Sequence, residues 1–149
     1  MKHIVYISNI DIRDSIYKEY GINKDDILKN KYGKPYLKDS NIYFSISHTE
    51  GYFVMAVGDR ECGIDIEKDR ELDYRKISKM MFDEEIDNKA TFLKRWVKHE
   101  AKTKLMGLSM FSSEVKSEEG IKYTNIDIID NVYISLATFD DTEVEVRIC

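Results

Sequence analysis

Three acidic residues and one lysine have the types and spacing of a metal and phosphate site. Asp65 and Glu67 lie two positions apart in a segment of alternating character, so both carboxylates project from one face of the predicted strand. Glu100 and Lys104 lie four positions apart in a helical segment and therefore share one helix face. Carboxylate oxygens suit Mg2+, which binds one or two of them and completes its shell with water and phosphate.

Each of these residues also has an ordinary structural explanation. Solvated acids on an exposed sheet face are more common than metal sites, and a Glu–Lys pair at this spacing is often a surface ion pair. His48 follows Ser47 at the end of a predicted strand, where it could contact a phosphate or cap a hairpin. Lys34 lies in a Gly-Lys-Pro turn, and an exposed lysine commonly serves solubility. Residue types and spacing leave both explanations open.

Strands and helices follow one another in an order that predicts how these residues are positioned. Strands are predicted over 2–8, 42–47, 52–57, 61–67 and, as two or three segments, within 121–148; helices are predicted over 11–20, 73–82 and 91–107. A helical turn is predicted within 25–31 and a proline-containing turn over 32–36. The order predicts an α+β fold, a single domain over 1–149 whose two halves, about 1–59 and 60–149, share a sheet.

Apolar positions predict how the longest helix packs. The predicted core stripe consists of Leu93, Val97, Ala101, Leu105 and Leu108. Cys62 falls on the apolar side of its strand, which makes it a poor nucleophile. We expect Cys62 and Cys149, the two cysteines of the chain, to be small buried residues without a disulfide.

Composition limits the class of protein. With 149 residues, 42% hydrophobic and 34% charged, the chain has the balance of a soluble globular domain. No apolar run approaches the roughly 20 residues of a membrane span, and the first residues turn polar too early for a signal peptide. These features predict a cytoplasmic protein with no membrane contact. A net charge of −5 argues against a general nucleic-acid binder.

Positive charge is concentrated in one segment. Residues 89–104 contain six basic residues and one acid, a net charge of +5, which leaves −10 for the remainder of the chain. Such a segment either faces an anionic ligand or partner or is a solvated helix face.

Four motifs occur in a fixed order along the chain. They are Gly33-Lys34-Pro35, Phe44-Ser45-Ile46-Ser47-His48, Gly63-Ile64-Asp65-Ile66-Glu67, and Trp96-Val97-Lys98-His99-Glu100-Ala101-Lys102-Thr103-Lys104. Together they resemble the 4'-phosphopantetheinyl transferase superfamily, specifically the surfactin-synthetase-activating branch, which carries two half-domains in one chain. The resemblance is clear from Gly33 to about Gly107 and looser beyond.

The resemblance implies a fold and a reaction. The fold is a pair of pseudo-twofold-related half-domains with the active site in the cleft between them. The reaction is that of a holo-[acyl-carrier-protein] synthase, the Mg2+-dependent transfer of the 4'-phosphopantetheine arm of coenzyme A to a serine of an acyl or peptidyl carrier protein. Adenosine 3',5'-bisphosphate is released. Since one chain carries all four motifs, a monomer is compatible with the sequence.

The resemblance also assigns roles to residues. Mg2+ would be held by Asp65, Glu67 and Glu100. Lys104 and His48 would contact the phosphates of coenzyme A, and Ser47 and Lys34 would also line the coenzyme site. The predicted catalytic residues are therefore Glu100, Lys104 and His48. Glu100 is the candidate base for the carrier serine, and a neutral His99 is the second choice.

The chain also departs from the family pattern. His99 stands where the family usually has lysine, and the amino-terminal half is short and lacks the usual basic helix. Recognition of the 3'-phosphate would therefore be weaker, or would use Lys29, Lys31 or other groups. These departures leave open a non-catalytic relative that binds coenzyme A or a carrier without transfer, a different Mg2+-dependent phosphohydrolase, or a plain interaction module. For an acidic carrier, the predicted docking surface is the stripe Lys94–Lys98–Lys102.

Overall fold

In the computed structural model, the protein is described over residues 1–108 and 120–149 and has an α+β fold. The strands are β1 (Lys2–Ser8), β2 (Ile27–Lys29), β3 (Pro35–Leu37), β4 (Tyr43–Thr49), β5 (Tyr52–Gly58), β6 (Cys62–Lys68), β7 (Lys122–Ile126), β8 (Val132–Thr138) and β9 (Glu143–Ile148). The helices are α1 (Arg13–Glu19), α2 (Tyr74–Phe82) and α3 (Lys89–Met106). Within these ranges, no helix combines the length and the apolar character needed to cross a bilayer.

The strands form separate sheets. The larger sheet has the order β4-β5-β1-β9, in which β9 runs parallel to β1 and the other neighbours are antiparallel. The second sheet has the order β6-β8-β7, and β2 pairs with β3. The prediction of one shared sheet is therefore wrong, because β4 and β6 belong to different sheets. The later part of the chain nonetheless contributes β9 to the first sheet. A pseudo-twofold relation between halves remains a prediction.

Serine side chains join the two sheets where β4 meets β6. The backbone N–H of Ile64 donates to Ser45 Oγ at 3.0 Å, and that of Ile66 donates to Ser47 Oγ at 3.4 Å. Both serines are buried, so they satisfy amide groups that would otherwise lack a partner at this junction. Asp65 lies between the two donating residues and is thereby held against β4.

A glycine lets α3 lie directly on β6. A Cβ atom at Gly63 would overlap the carbonyl oxygen of Ala101 and the amide nitrogen of Leu105. Ala101 and Leu105 are buried and belong to the face of α3 that contacts the second sheet. Since Gly63 has no side chain, the helix approaches the strand closely, and residues at either side of this contact come within reach of β6.

Most predicted elements are present, with shifted ends. Leu93, Val97, Ala101 and Leu105 of the predicted core stripe are buried, whereas Leu108 is only half-buried. The segment 25–36 differs more. A 3-10 helical turn at Lys24–Asp26 overlaps only the start of the helical turn predicted within 25–31, and Ile27–Lys29 pairs with Pro35–Leu37 as a hairpin. Strands of three residues are too short to show a recognisable periodicity.

Neither cysteine takes part in a disulfide. Cys62 is buried as predicted, and burial raises the pKa of its thiol to about 12. Cys149 is exposed, so the prediction of a buried residue is wrong there. It directly follows β9, an edge strand with exposed side chains.

Candidate metal and phosphate site

The structure brings together the three acids that the sequence singles out. Asp65 and Glu67 on β6 and Glu100 on α3 each offer a carboxylate oxygen, and these oxygens lie within 4.8 Å of one another. Asp65 is 2% exposed, and the other two acids are half-buried. Strand alternation places the first two on one face, and the contact of α3 with Gly63 delivers the third.

The two oxygens of Asp65 have different surroundings. Oδ1 accepts hydrogen bonds from Ser47 Oγ at 2.8 Å and from Lys104 Nζ at 3.3 Å. Oδ2 is buried and accepts no hydrogen bond from a nitrogen or hydroxyl donor among the described residues. Buried polar atoms are nearly always paired, so an unpaired carboxylate oxygen needs a proton or a cation.

The pKa values of the acids show how unfavourable three adjacent carboxylates are. Burial, and then the charge of Asp65, raise the pKa of Glu100 to about 9. Burial and Asp65 also raise the pKa of Glu67, against the smaller opposing effect of Arg70, whose Nε lies 3.6 Å from Glu67 Oε2. Without a cation, Glu100 keeps a proton, which relieves its repulsion from Asp65. A divalent cation would neutralise the same charges, and the all-oxygen donor set fits Mg2+.

Lys104 lies beside the acids and is still partly open to solvent. Its Nζ donates to the backbone carbonyl of Ile46 at 3.1 Å and to Asp65 Oδ1 at 3.3 Å. The side chain is 33% exposed. Among the described residues these are its two hydrogen bonds, which leaves the third donor of the ammonium group for an oxygen of a bound ligand.

Ser47 and His48 are neighbours in β4 but occupy different environments. Ser47 is buried, and its hydroxyl donates to Asp65, so it orients the acid. His48 is exposed, and strand alternation directs its side chain to the opposite face of β4. The structure therefore does not bring His48 to the carboxylates, and a contact with a phosphate of coenzyme A remains a prediction.

Lys34 holds the Gly-Lys-Pro turn in place. Its Nζ donates to Glu61 Oε1 at 2.8 Å and to the carbonyl of Cys62 at 3.1 Å. The side chain is only 12% exposed, so this lysine is not a freely solvated surface residue. A groove of about 170 Å3 separates residues 32–35 from α3; Ser45, Ile46, Thr103 and Lys104 also line it. A direct contact of Lys34 with coenzyme A remains a prediction.

The basic side chains predicted to form the docking surface on α3 are less exposed than expected. Lys102 is 1% exposed, so the predicted docking stripe Lys94–Lys98–Lys102 is not a continuous surface. Lys94 is exposed, and Lys98 is half-buried with its ammonium 5.7 Å from the ring centre of Tyr123. His99 is also buried and packs edge-on against Phe82 with ring centres 5.2 Å apart. Its burial argues against its role as a base.

Two contributors to the site were not recognised from the sequence. The carbonyl of Ile46 fixes Lys104, which no residue-type pattern can indicate, because every residue has a carbonyl. Gly63 admits α3 to the strand. Its position two residues before Asp65, on the same strand face, is a signal that close packing was required there.

Comparison with known proteins gives partial matches to curated relatives, although no family model matches the chain. The 4'-phosphopantetheinyl transferase gsp of Aneurinibacillus migulanus is 34% identical over 112 residues, which is 67% of this chain and 46% of the relative. The 4'-phosphopantetheinyl transferase Sfp of Bacillus subtilis (strain 168) is 31% identical over 83 residues, 54% of this chain and 37% of the relative. The aligned part of the chain thus spans less than half the length of either relative.

Proposed function

The chain belongs to the 4'-phosphopantetheinyl transferase family, and we propose that it transfers the 4'-phosphopantetheine arm of coenzyme A to a serine of an acyl or peptidyl carrier protein. The reaction is Mg2+-dependent, takes place in the cytoplasm and releases adenosine 3',5'-bisphosphate. The observation that supports it most is the cluster of Asp65, Glu67 and Glu100, with oxygens within 4.8 Å and Lys104 hydrogen-bonded to Asp65.

The proposal assigns the cation to the three acids. Asp65 and Glu67 would hold it from β6 and Glu100 from α3, in place of the proton that Glu100 otherwise keeps. Bound Mg2+ supplies charge neutralisation for the diphosphate of coenzyme A. Ser47 holds Asp65 in one orientation through its 2.8 Å hydrogen bond, so the ligand is preorganised.

Group transfer then requires positioning and charge stabilisation from the protein. The serine oxygen attacks the phosphorus that carries the pantetheine arm, and the phosphorus–oxygen bond to the adenosine bisphosphate breaks. The free N–H of Lys104 would stabilise the negative charge that develops on the phosphate oxygens. Glu100, in its carboxylate form, is the candidate acceptor of the serine proton. His48 and Lys34 would bind other phosphates or parts of coenzyme A.

Intact mass spectrometry of the carrier tests the proposal. The protein is mixed with coenzyme A, Mg2+ and apo carrier proteins from fatty-acid, polyketide and peptide synthesis. We expect at least one carrier to gain the mass of phosphopantetheine, and EDTA to prevent the gain. No gain with any carrier, while an authentic transferase modifies all of them, would overturn the proposal.

The same samples address the alternative, a relative that binds coenzyme A or a carrier without transfer. His99 favours this alternative, because it is buried beside Phe82 at the position where the family usually has a lysine. Titration calorimetry with coenzyme A and Mg2+ separates the cases. Binding without modification of any carrier would favour the alternative.

A further inference from the structure

The side chain of Asn30 joins the Gly-Lys-Pro turn to the end of α3. Its Oδ1 accepts from the backbone N–H groups of Tyr32 at 2.9 Å and Lys34 at 3.0 Å. Its Nδ2 donates to the carbonyl of Gly107 at 2.9 Å, across 77 positions of sequence. One amide side chain thus satisfies three backbone groups on two distant segments.

The backbone conformation of the turn and of the end of α3 allows this contact. Asn30 N donates to the carbonyl of Lys34, and Gly33 N donates to the carbonyl of Asn30, each at 3.0 Å. Gly107 ends α3 with φ of 65°, and a Cβ there would lie 2.9 Å from Asn30 Nδ2. Glycine at this position both adopts the left-handed conformation and leaves room for the amide.

These two segments form opposite walls of the groove beside Lys104. Residues 32–35 form one wall, and Thr103, Lys104 and Gly107 contribute to the other. A ligand that places a phosphate at Lys104 and occupies this groove would lie between them. The separation of the walls depends on contacts between the turn and α3, and Asn30 makes direct hydrogen bonds to both.

We propose that Asn30 is a positioning residue, which fixes the turn 32–35 relative to α3 and thereby sets the groove that receives coenzyme A. This inference rests on the proposed function. Its role is distinct from catalysis, because Asn30 contacts backbone groups and none of the three acids or Lys104. The residue should affect the binding of coenzyme A more than the rate of transfer.

Two variants distinguish the hydrogen bonds of Asn30 within the turn from its hydrogen bond to the end of α3. Asn30→Ala removes all three side-chain hydrogen bonds, whereas Asn30→Asp keeps an acceptor for Tyr32 and Lys34 but places a carboxylate oxygen against the carbonyl of Gly107. We expect both variants to raise KM for coenzyme A about tenfold, the effect of one lost hydrogen bond or more. We expect kcat to change less than about twofold. Asn41→Ala, at an exposed position, is the matched control.

Hydrogen exchange of the backbone amides reports the geometry without any activity. The amides of Tyr32 and Lys34 should exchange faster in Asn30→Ala than in Asn30→Asp, because only the latter retains their acceptor. Calorimetry with coenzyme A should show weaker binding for both variants.

Several outcomes would overturn the inference. Asn30→Asp with wild-type affinity for coenzyme A would show that the link to Gly107 does not position the groove. A lower melting temperature with unchanged KM would show a purely structural role, and a loss confined to kcat would contradict positioning. If the wild-type protein neither binds coenzyme A nor transfers its phosphopantetheine arm, the proposed function fails. Unchanged hydrogen exchange at Tyr32 and Lys34 in Asn30→Ala would refute the role of the Asn30 side chain in holding the turn.

Discussion

Two buried polar clusters of this protein differ in how fully their atoms are paired. The ring of His3 is 0% exposed, and each of its nitrogens has a hydrogen-bond partner: Thr142 Oγ1 at 2.7 Å and the carbonyl of Arg60 at 2.9 Å. In the carboxylate cluster, Asp65 Oδ2 lacks a nitrogen or hydroxyl donor among the described residues. A paired buried cluster stabilises a fold, whereas an unpaired one is poised for a ligand.

The partners of His3 determine the state of its ring. A carbonyl only accepts, so Nε2 carries a proton and donates to Arg60. Nδ1 shares a hydrogen bond of 2.7 Å with the Thr142 hydroxyl, which also lies 3.2 Å from the carbonyl of Glu143. Burial lowers the pKa of His3, against the opposing effect of the Arg60 carbonyl. The ring also fills space above Gly58, where a Cβ would overlap it. This cluster joins β1, β5 and the start of β9, and both ring nitrogens of His3 have hydrogen-bond partners within it.

The largest expected effect is the loss of transfer when the unpaired cluster is altered. Asp65→Ala and Glu100→Gln should each reduce the rate by about a thousandfold or more, since they remove a ligand to the cation. Both should stay folded, because they relieve repulsion between acids. Carrier mass and circular dichroism measure the two properties, with Glu50→Gln at an exposed position as control. Retention of most activity by either variant would contradict the metal assignment.

A smaller loss of transfer rate is expected when the ammonium group beside the three acids is removed. Lys104→Met keeps much of the side-chain volume but removes the charge, and we expect transfer to slow about a hundredfold. The variant should leave Mg2+-dependent stabilisation present, because the three acids remain. Lys122→Met, on the exposed edge of β7, serves as the matched control in the same assay. Equal losses in both variants would indicate a general effect of charge.

The paired cluster should respond in stability instead of activity. His3→Ala removes two hydrogen bonds and leaves a cavity, so we expect a loss of about 2–3 kcal/mol in the free energy of unfolding. His48→Ala, at an exposed position, should change it by less than about 0.5 kcal/mol. Urea denaturation gives both values. Equal stabilities of the two variants would contradict the role given to His3.

The smallest expected effect is on the pH dependence of stability, to which Glu100 and His3 should contribute with opposite signs. Because the folded pKa of Glu100 is raised from 4.5 to about 9, the folded state binds the extra proton, and stability falls as pH rises through that window. The pKa of His3 is lowered from 6.5, so its contribution is present above that value and is lost as pH falls below it.

Thermal melting in EDTA tests these signs with one variant for each cluster. Relative to wild type, Glu100→Gln should lose less stability between pH 6 and 9, and His3→Ala should lose less of its remaining stability on acidification. Added Mg2+ should stabilise the wild type most at high pH. Identical pH profiles for the wild type and Glu100→Gln would contradict the raised pKa.

The sequence is informative about the site where the determinants are local. Alternation along a strand places Asp65 and Glu67 on one face, and helical spacing places Glu100 and Lys104 on another, and the structure joins the two faces. The same helical spacing predicts the stripe through Lys102, yet this residue is 1% exposed. The spacing of residues in a helix shows which side chains share a face, but whether those side chains are exposed depends on which other elements pack against that face.

Long-range pairings account for most of what was not predicted. The ion pair between Lys34 and Glu61 spans 27 positions, and His3 meets Thr142 across 139 positions. Nothing in the neighbourhood of either residue indicates its partner, because both contacts follow from the arrangement of sheets. The predicted α+β class is confirmed, since it requires only the order of elements. The predicted sharing of one sheet is wrong, since it depends on which edges meet.

The parallel pairing of β1 with β9 has a consequence for how the chain folds during synthesis. Lys2 is aligned with Glu143 and Ile7 with Ile148, so β1 receives its second neighbour only after the chain between the two strands has been made. Contacts of such high sequence separation form slowly, because a long loop must close first. Until β9 is made, the backbone N–H and C=O groups on this edge of β1 lack a strand partner, and the ring of His3 lacks Thr142. An unpaired strand edge is a site at which another chain can add, so this edge of β1 is open to aggregation until β9 is made.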